Sequence, residues 1–193
     1  MEKNGQGVGT ALLVMDIQPG TIERDENPQS LLSVLGQAIT AARSAGITVI
    51  YVVVGFRKGI PEIGAGTTNK SFGALKKPGN PIRGIEEPVV ASAIAPQAGE
   101  MVVTKRRVSA FTGSDLEVIL RGHKIEHLVL TGVATSGAVL STVREAADKD
   151  YRLTVLSDGC ADLDPEVHTV LVNKVFPRQA EVMTVGQWSA GLA

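Results

Sequence analysis

Residues 127–144 read HLVLTGVATSGAVLSTVR, and this stretch decides the fold. Its apolar run at 128–130 is typical of a buried parallel strand. A turn of small and hydroxyl-bearing residues follows over 133–137, and apolar residues then recur at helical spacing over 139–147. The stretch therefore predicts a strand that passes through a tight turn directly into a helix, with Ala138 in the first helical turn.

The expected position of Ala138 has chemical consequences. Open parallel sheets bind ligands at the carboxyl ends of their strands, and a helix start offers unpaired backbone N–H groups and a positive dipole end. Such groups stabilise an anion or an oxyanion, and they lower the pKa of a thiol in the first helical turn. The side chain present there is a methyl group, which has no reactivity of its own.

The rest of the chain alternates strand-like apolar runs with amphipathic helical segments. We predict strands over 10–17, 48–54, 101–105, 128–130, 152–156 and 181–184, and helices over 28–45, 115–121 and 165–175 besides the one after the turn. This alternation favours an α/β fold, a three-layer α/β/α sandwich with a mainly parallel sheet.

The domain organisation follows from the same pattern. Residues 1–9 lack apolar character and are expected to form a flexible tail, and residues 10–193 are expected to form one domain. The long segment 55–96 is rich in Gly and Pro and predicts a lid or binding loop. A polar tail is expected after residue 184.

Composition excludes several classes of partner. The net charge of −1 and the 4% aromatic content give no reason to expect nucleic acid or an anionic membrane. No apolar run reaches the length of a membrane span, and residues 1–9 lack the apolar core of a signal peptide. A single cysteine, Cys160, suits a reducing compartment. The expected setting is the cytoplasm, with a small molecule as the partner.

Two charged side chains end predicted strands on the same edge of the sheet as the turn. Asp16 closes the strand TALLVMDI, and Lys105 closes the strand MVVTK. Because the carboxyl ends of parallel strands meet at one edge, we expect both side chains to lie beside the turn at 134–138. An acid next to a lysine forms an ion pair that can hold, donate or accept a proton.

The order of four motifs resembles one family across nearly the whole chain. They are LLVMDIQ around Asp16, VTKRRVSAF around Lys105, TGVATSGAVLSTVREAADKDY through the turn, and LTVLSDGCAD near the end. On these motifs the chain is identified as a member of the isochorismatase-like hydrolase superfamily, which has the cysteine hydrolase fold. The resemblance implies a six-stranded parallel sheet between helices.

The resemblance also implies catalytic positions. In the amidase branch of the superfamily, an Asp, a Lys and a Cys form the catalytic triad. The Asp matches Asp16, the Lys matches Lys105, and the Cys position matches Ala138, so this chain is a member without the nucleophilic Cys. A cis peptide matching Val133–Ala134 helps to build the oxyanion hole in these relatives.

The remaining site predictions concern substrate, metal and cofactor. The residues predicted to contact substrate are Gln18, Phe56, Arg107, Phe111, Val133, Ala134 and Gly137. Arg106 and Arg107 follow Lys105, and one of them can hold a substrate carboxylate bidentately or instead have a solvated or structural role. Phe56, Phe72 and Phe111 can either form a pocket wall or pack in the core. Metal-binding relatives use an Asp-x-His pair after the second strand, where this chain has Gly-Phe-Arg, and its three histidines are not spaced as ligands. Neither a metal site nor a cofactor is expected.

Three functions fit this sequence. The first is a hydrolase without a covalent intermediate, as in isochorismatase itself, which lacks the Cys and in which the Asp is the proton donor. The second is a cysteine amidohydrolase that carries a Cys-to-Ala substitution at Ala138. The third is a non-catalytic binding protein on this fold.

Two further expectations concern Cys160 and the assembly. Cys160 follows a different strand and is expected to be a buried apolar residue away from the turn. By resemblance, the chain is expected to form a homodimer or a larger homo-oligomer, with residues 55–96 and the C-terminal segment at the contacts. Trp188 is expected to pack the final segment or a subunit contact.

Overall fold

The computed structural model describes residues 9–23, 27–75 and 88–192. Within them, six strands form one parallel sheet in the order β3-β2-β1-β4-β5-β6. The strands are β1 (Thr10–Met15), β2 (Thr48–Val54), β3 (Met101–Lys105), β4 (His127–Val133), β5 (Arg152–Ala161) and β6 (Glu181–Met183). The predicted α/β/α sandwich and its six-stranded sheet are confirmed.

Seven α-helical segments connect these strands in the described part of the chain. They are α1 (Pro19–Ile22), α2 (Pro28–Ser44), α3 (Lys70–Ala74), α4 (Leu116–Gly122), α5 (Leu140–Asp148), α6 (Pro165–Val170) and α7 (Val185–Ala190). π-Helical turns over Thr135–Val139 and Leu171–Val175 and 3₁₀ turns over Ser92–Ile94 and Phe176–Arg178 complete the set. None of these helices combines the length and the apolar character that crossing a bilayer requires.

The sheet separates two apolar layers because successive strand residues point to opposite faces. In β1, Leu13 and Met15 pack toward α4, α5 and the segment 171–176, whereas Leu12 and Val14 pack toward α2 and α7. Central strands that are covered on both faces are apolar throughout, so the apolar runs of the sequence predict β1 and β2, although β1 ends at Met15 rather than at residue 17.

Two strands are longer than predicted, and the difference matters for the site. We expected β4 to end at Thr131 and Gly132, but it continues to Val133. We expected β5 to end at Leu156, but it continues to Ala161 past a register shift opposite Thr131. Residues 157–159 (Ser-Asp-Gly), which are expected from the sequence to close the strand, form this irregularity inside it.

Two segments predicted to lack structure contain helices. The loop predicted over 55–96 includes α3, whose N-cap Asn69 accepts a hydrogen bond from Phe72 N, and residues 76–87 of that prediction lie outside the described residues. The predicted polar tail is α7, which begins with a capping box between Thr184 and Gln187. Trp188 is buried against the α2 face of the sheet, which confirms that it packs the final segment. The tail predicted over residues 1–9 lies outside the description except for Gly9.

Candidate active site

A cavity of about 300 Å³ lies at the carboxyl ends of the central strands. Open α/β sheets bind their ligands at this edge. The described residues that line it are Asp16, Thr21, Val54, Ser71, Phe72, Leu75, Lys105, Arg107, Val108, Val133, Ala134, Gly137, Ala138, Ala161, Asp162 and Leu163. The predicted convergence of Asp16, Lys105 and the turn at one cleft is therefore present in the structure.

Asp16 and Lys105 form an ion pair across the end of β2. Asp16 follows β1 with a left-handed φ of 57°, and its N–H donates to Val52 O at 2.8 Å. Lys105 is the last residue of β3, and its Nζ lies 2.8 Å from Asp16 Oδ2. The same Nζ donates to Val108 O at 2.6 Å. Because β2 lies between β1 and β3, the ion pair spans the carboxyl end of β2 and joins its two neighbouring strands.

The environment of the Asp16 carboxyl favours its protonated form. Burial raises the pKa of Asp16, and the adjacent Lys105 cation offsets part of that rise. Its Oδ1 atom is buried and has no hydrogen-bond partner among the described residues. The net direction, a raised pKa, increases the fraction of the acid form compared with an exposed aspartate.

The turn after β4 brings backbone and small side chains to the cavity wall. The Val133–Ala134 peptide is cis, as the resemblance implied. The π-helical turn over Thr135–Val139 follows and leads into α5 without a break. The N–H groups of Gly137 and Val139 donate to Ala134 O at 3.0 and 3.3 Å. Ala138 is 3% exposed and lines the cavity.

Arg107 is fixed at the cavity rim by two backbone carbonyls and by the ring of Phe72. Its guanidinium donates to Arg106 O at 2.7 Å and to Glu62 O at 3.0 Å, and it lies 5.2 Å above the ring of Phe72. Both oxygen acceptors are neutral carbonyls. No carboxylate of the described chain lies within salt-bridge distance of Arg107, whereas Glu62 pairs with Arg57 and Arg106. Within the described part of the chain, the positive charge that Arg107 brings to the cavity is therefore not neutralised by a carboxylate.

Three residues predicted to contact substrate do not line the cavity. The Gln18 side chain bridges β1 and β2 through two hydrogen bonds with the backbone of Val54. Phe56 is buried behind Phe72, with ring centroids 6.1 Å apart. Phe111 packs against Tyr151 in the core below α5. For these three side chains the structure thus shows packing or positioning rather than an accessible surface.

Cys160 is a buried thiol on the strand next to the turn. Because β5 extends to Ala161, Cys160 pairs with Gly132, nearer to the turn than expected. Its Sγ contacts Leu130 O at 3.9 Å, and it is absent from the cavity lining. Burial raises the pKa of Cys160 to about 12, which keeps the thiol protonated and unreactive.

The extended β5 also brings Asp162 to the cavity. Burial raises the pKa of its carboxyl, but hydrogen bonds from Ser136, Asp164 and Leu163 outweigh burial and leave the pKa lowered. Sequence reasoning assigned Asp162 no role because it ended the strand too early. An acidic residue at the carboxyl end of a strand is the signal that identifies Asp16. The same signal identifies Asp162 once the strand is extended to residue 161.

The described residues contain no cluster of three or more metal-ligating side chains.

Comparison with known proteins agrees with this architecture. Residues 10–187 match the isochorismatase domain family. The chain is 30% identical over 190 residues to YecD, an uncharacterized isochorismatase family protein of Escherichia coli O157:H7, with 91% of this chain and 92% of that protein covered. It is 32% identical over 177 residues to the ureidoacrylate amidohydrolase RutB of Stutzerimonas stutzeri, with coverage of 81% and 71%.

Solved structures share the fold. An isochorismatase family protein from Burkholderia thailandensis superposes with a TM-score of 0.83 at 28% identity and covers 95% of each chain. A cysteine hydrolase from Pseudomonas syringae superposes with a TM-score of 0.82 at 21% identity, covering 97% of this chain and 93% of its own. The second likeness is one of fold alone.

Proposed function

The chain belongs to the isochorismatase family, and we propose that it is a hydrolase of this family that acts on a small carboxylate-bearing molecule without a covalent enzyme intermediate. The observation that carries the proposal is the Asp16 carboxyl at the cavity wall. Its pKa is raised by burial, its Oδ2 contacts Lys105, and its Oδ1 has no hydrogen-bond partner among the residues that the structure describes.

The nucleophile in this proposal is water. Ala138 stands at the position that the resemblance assigns to the family thiol, and the described cavity lining contains neither a cysteine nor a histidine. Cys160, with a pKa of about 12, is not available to attack. A hydroxyl group without a nearby base is a weak nucleophile, and the lining hydroxyls of Thr21 and Ser71 have no histidine beside them in that lining.

Asp16 supplies acid–base catalysis to this hydrolysis. In its protonated form it donates a proton to the atom that leaves, and the bond to that atom breaks as water oxygen adds to the other fragment. The carboxylate formed then takes one proton from the added water, which restores the acid and balances the reaction. Lys105 holds the carboxylate in place and stabilises its negative charge between these steps.

The carboxylate of the substrate is assigned to Arg107. The guanidinium has no carboxylate partner among the described residues and retains N–H groups beyond those given to the two carbonyls. The apolar side chains of Phe72, Leu75 and Leu163 suit the uncharged part of a small molecule. The name of the 32% identical relative, ureidoacrylate amidohydrolase, also denotes a carboxylate-bearing substrate.

One observation favours a second function. Several relatives that are 32–36% identical are named ureidoacrylate amidohydrolase, and the Ala138 methyl lines the cavity. An amidohydrolase that carries Ala in place of its nucleophile, or a binding protein that has lost turnover, would show the same cavity. The effect of Ala138→Cys on amide hydrolysis distinguishes these alternatives from the main proposal.

The test compares three chains on two substrate panels. Wild type, Asp16→Asn and Ala138→Cys are each incubated with carboxylate-bearing vinyl ethers and with carboxylate-bearing ureido and carbamoyl compounds. We expect turnover by wild type, loss of that turnover in Asp16→Asn, and no mass increase of the protein during turnover. A covalent adduct on wild type would contradict the proposal. Amide hydrolysis that appears only with Ala138→Cys would support the amidohydrolase, and binding without turnover by either chain would support the binding protein.

The assembly and the location stay predictions. We propose a homodimer or larger homo-oligomer in the cytoplasm, with contacts through the 55–96 segment and the C-terminal segment. Light scattering at micromolar concentration measures the mass directly, and a monomer would contradict the assembly.

A further inference from the structure

Two consecutive residues of the turn are tied to the segment that follows β5. Thr135 is fully buried, and its Oγ1 lies 2.9 Å from Nδ1 of His168 on α6. The N–H of Ser136 donates to Asp162 Oδ2 at 2.6 Å. Thr135 and Ser136 stand between Ala134 and Gly137, both of which line the cavity.

The direction of the Thr135–His168 hydrogen bond follows from what else surrounds the hydroxyl. Thr135 Oγ1 has no second hydrogen-bond partner in the described part of the chain. A buried hydroxyl proton needs an acceptor, so Thr135 donates and Nδ1 of His168 accepts. The ring is then neutral, with its proton on Nε2.

The electrostatic surroundings of His168 agree with a neutral ring. Burial lowers the pKa of His168, and the Asp162 carboxylate opposes that change in part. The π-helical turn packed against α6, residues 135–139, contains no titratable side chain. On the following turn, 171–175, the charged residue is Lys174. Protonation of His168 would make Nδ1 a donor and leave the buried Thr135 hydroxyl without its acceptor.

We propose that His168 is a positioning residue, which acts through Thr135 to fix the backbone of the 134–138 turn at the cavity. Asp162 acts in parallel through Ser136. The inference rests on the proposed function and deepens it, because Ala134, Gly137 and Ala138 of this turn line the cavity in which the proposed reaction takes place. Thr135 itself does not react with substrate, since it is 0% exposed and does not line the cavity.

The experiment measures the turn without any substrate. Ala138→Cys introduces a thiol into the turn, and its alkylation rate by iodoacetamide as a function of pH reports its pKa. Wild type, whose single thiol is the buried Cys160, gives the blank. In the Ala138→Cys chain, His168→Leu and Thr135→Val are each added, and then both together.

The expected result is a slower reaction of the introduced thiol. When the turn is no longer fixed, its backbone N–H groups are oriented less well to stabilise the thiolate, so the thiol pKa rises. The alkylation rate at pH 7 should then fall about 3–10-fold, which corresponds to the free energy of one hydrogen bond. The two changes together should cost no more than either alone. Equal rates and equal thiol pKa values in all four chains would overturn the proposal.

Two matched variants separate positioning from a general loss of structure. His168→Asn keeps an acceptor near the Nδ1 position that cannot be protonated, and Thr135→Ser keeps the hydroxyl. We expect both to retain the rate at pH 7, and His168→Asn to lose the fall in rate that protonation of His168 causes at acidic pH. If His168→Leu or Thr135→Val fails to fold, the pH dependence of alkylation in His168→Asn decides between the two outcomes. A pH profile identical to that of the Ala138→Cys chain with His168 intact would refute the positioning role of His168. Because no turnover is measured, failure of the proposed reaction leaves this result intact.

Discussion

A Cβ atom built on Gly132 would lie 2.2 Å from the carbonyl oxygen of Met15. Gly132 pairs with Met15 across β4 and β1, and its φ of +136° lies in a region that other residues rarely adopt. The two residues directly precede the turn and Asp16 in the fold. Their close approach therefore sets the distance between the two halves of the candidate active site.

Gly132→Ala should destabilise the protein severely. The added methyl group meets backbone rather than a flexible side chain, so we expect the free energy of unfolding to fall by more than about 3 kcal/mol. Gly36→Ala is the matched control, because Gly36 lies within α2 and its Cβ would meet nothing within 4 Å. That change should stabilise the protein by about 0.5–1 kcal/mol. Urea unfolding measures both, and a Gly132→Ala chain as stable as wild type would contradict the close approach.

The sequence predicted the interior of the fold better than its functional edge. The run 48–54 is apolar and β-branched from end to end, and it matches β2 residue for residue. By contrast, residues 157–159 look like a loop, because a single chain does not reveal that a neighbouring strand pairs beyond an irregularity. Because the strand was ended too early, the sequence did not predict that Cys160 pairs with Gly132 or that Asp162 lines the cavity.

The candidate site shows the same division. Asp16 and Lys105 could be predicted to meet, because strand ends in a parallel sheet share one edge. The positions of Phe56 and Phe111 could not, since an aromatic residue near a strand end can face either the cavity or the core. The sequence also gave no signal for the hydrogen bond between Thr135 and His168, which joins residues 33 positions apart.

Asp16→Asn should abolish most of the turnover of any substrate that is found. The amide keeps the shape but delivers no proton at neutral pH, so we expect a loss on the order of 10²–10⁴-fold in kcat with little change in binding. Asp148→Asn, an exposed carboxylate on α5, is the control and should keep full activity. Steady-state kinetics measures both, and undiminished turnover by Asp16→Asn would remove Asp16 from the mechanism.

Lys105→Met should shift the pH dependence of the rate. The Lys105 cation holds the raised pKa of Asp16 lower than burial alone would, so its removal raises that pKa further. A reaction that needs the protonated acid slows as the pH rises through this pKa, and we expect the decline in Lys105→Met to begin at a higher pH than in wild type. The profile of kcat/KM against pH measures it. A decline at unchanged or lower pH would argue against the acid role.

Arg107→Gln should weaken the binding of anionic ligands selectively. The loss of a charge-assisted hydrogen bond is expected to raise the Kd of a carboxylate ligand by about 10–100-fold and to leave that of its uncharged amide analogue nearly unchanged. Arg57→Gln changes the net charge equally at an exposed residue outside the cavity lining, so it serves as the control. Isothermal titration calorimetry of wild type and both variants with each of the two ligands compares the six combinations. An equal loss for both ligands would indicate that Arg107 supports only the Phe72 wall.

His127 should make the protein lose stability in acid. Burial and the nearby Arg152 lower the pKa of His127 from 6.5 to about 4, and its Nδ1 lies 3.1 Å from the Arg152 guanidinium. Because the ring takes up a proton near pH 6.5 when unfolded but only near pH 4 when folded, the unfolded state binds more protons between these values. The free energy of unfolding should therefore fall as the pH drops below 6.5, and the fall should be complete near pH 4.

His127→Gln isolates this contribution from those of the other titratable groups. Gln keeps polar atoms near Thr154 and Arg152 but does not titrate, so its unfolding free energy should decline less steeply than that of wild type. His168, whose pKa burial also lowers, is present in both chains and cancels in the comparison. Urea unfolding at several pH values between 7.5 and 4.5 gives the two curves. Since the ring is only half-buried, solvent screening limits the difference to about 1–2 kcal/mol, and parallel curves would show that His127 protonates equally in the folded and unfolded chain.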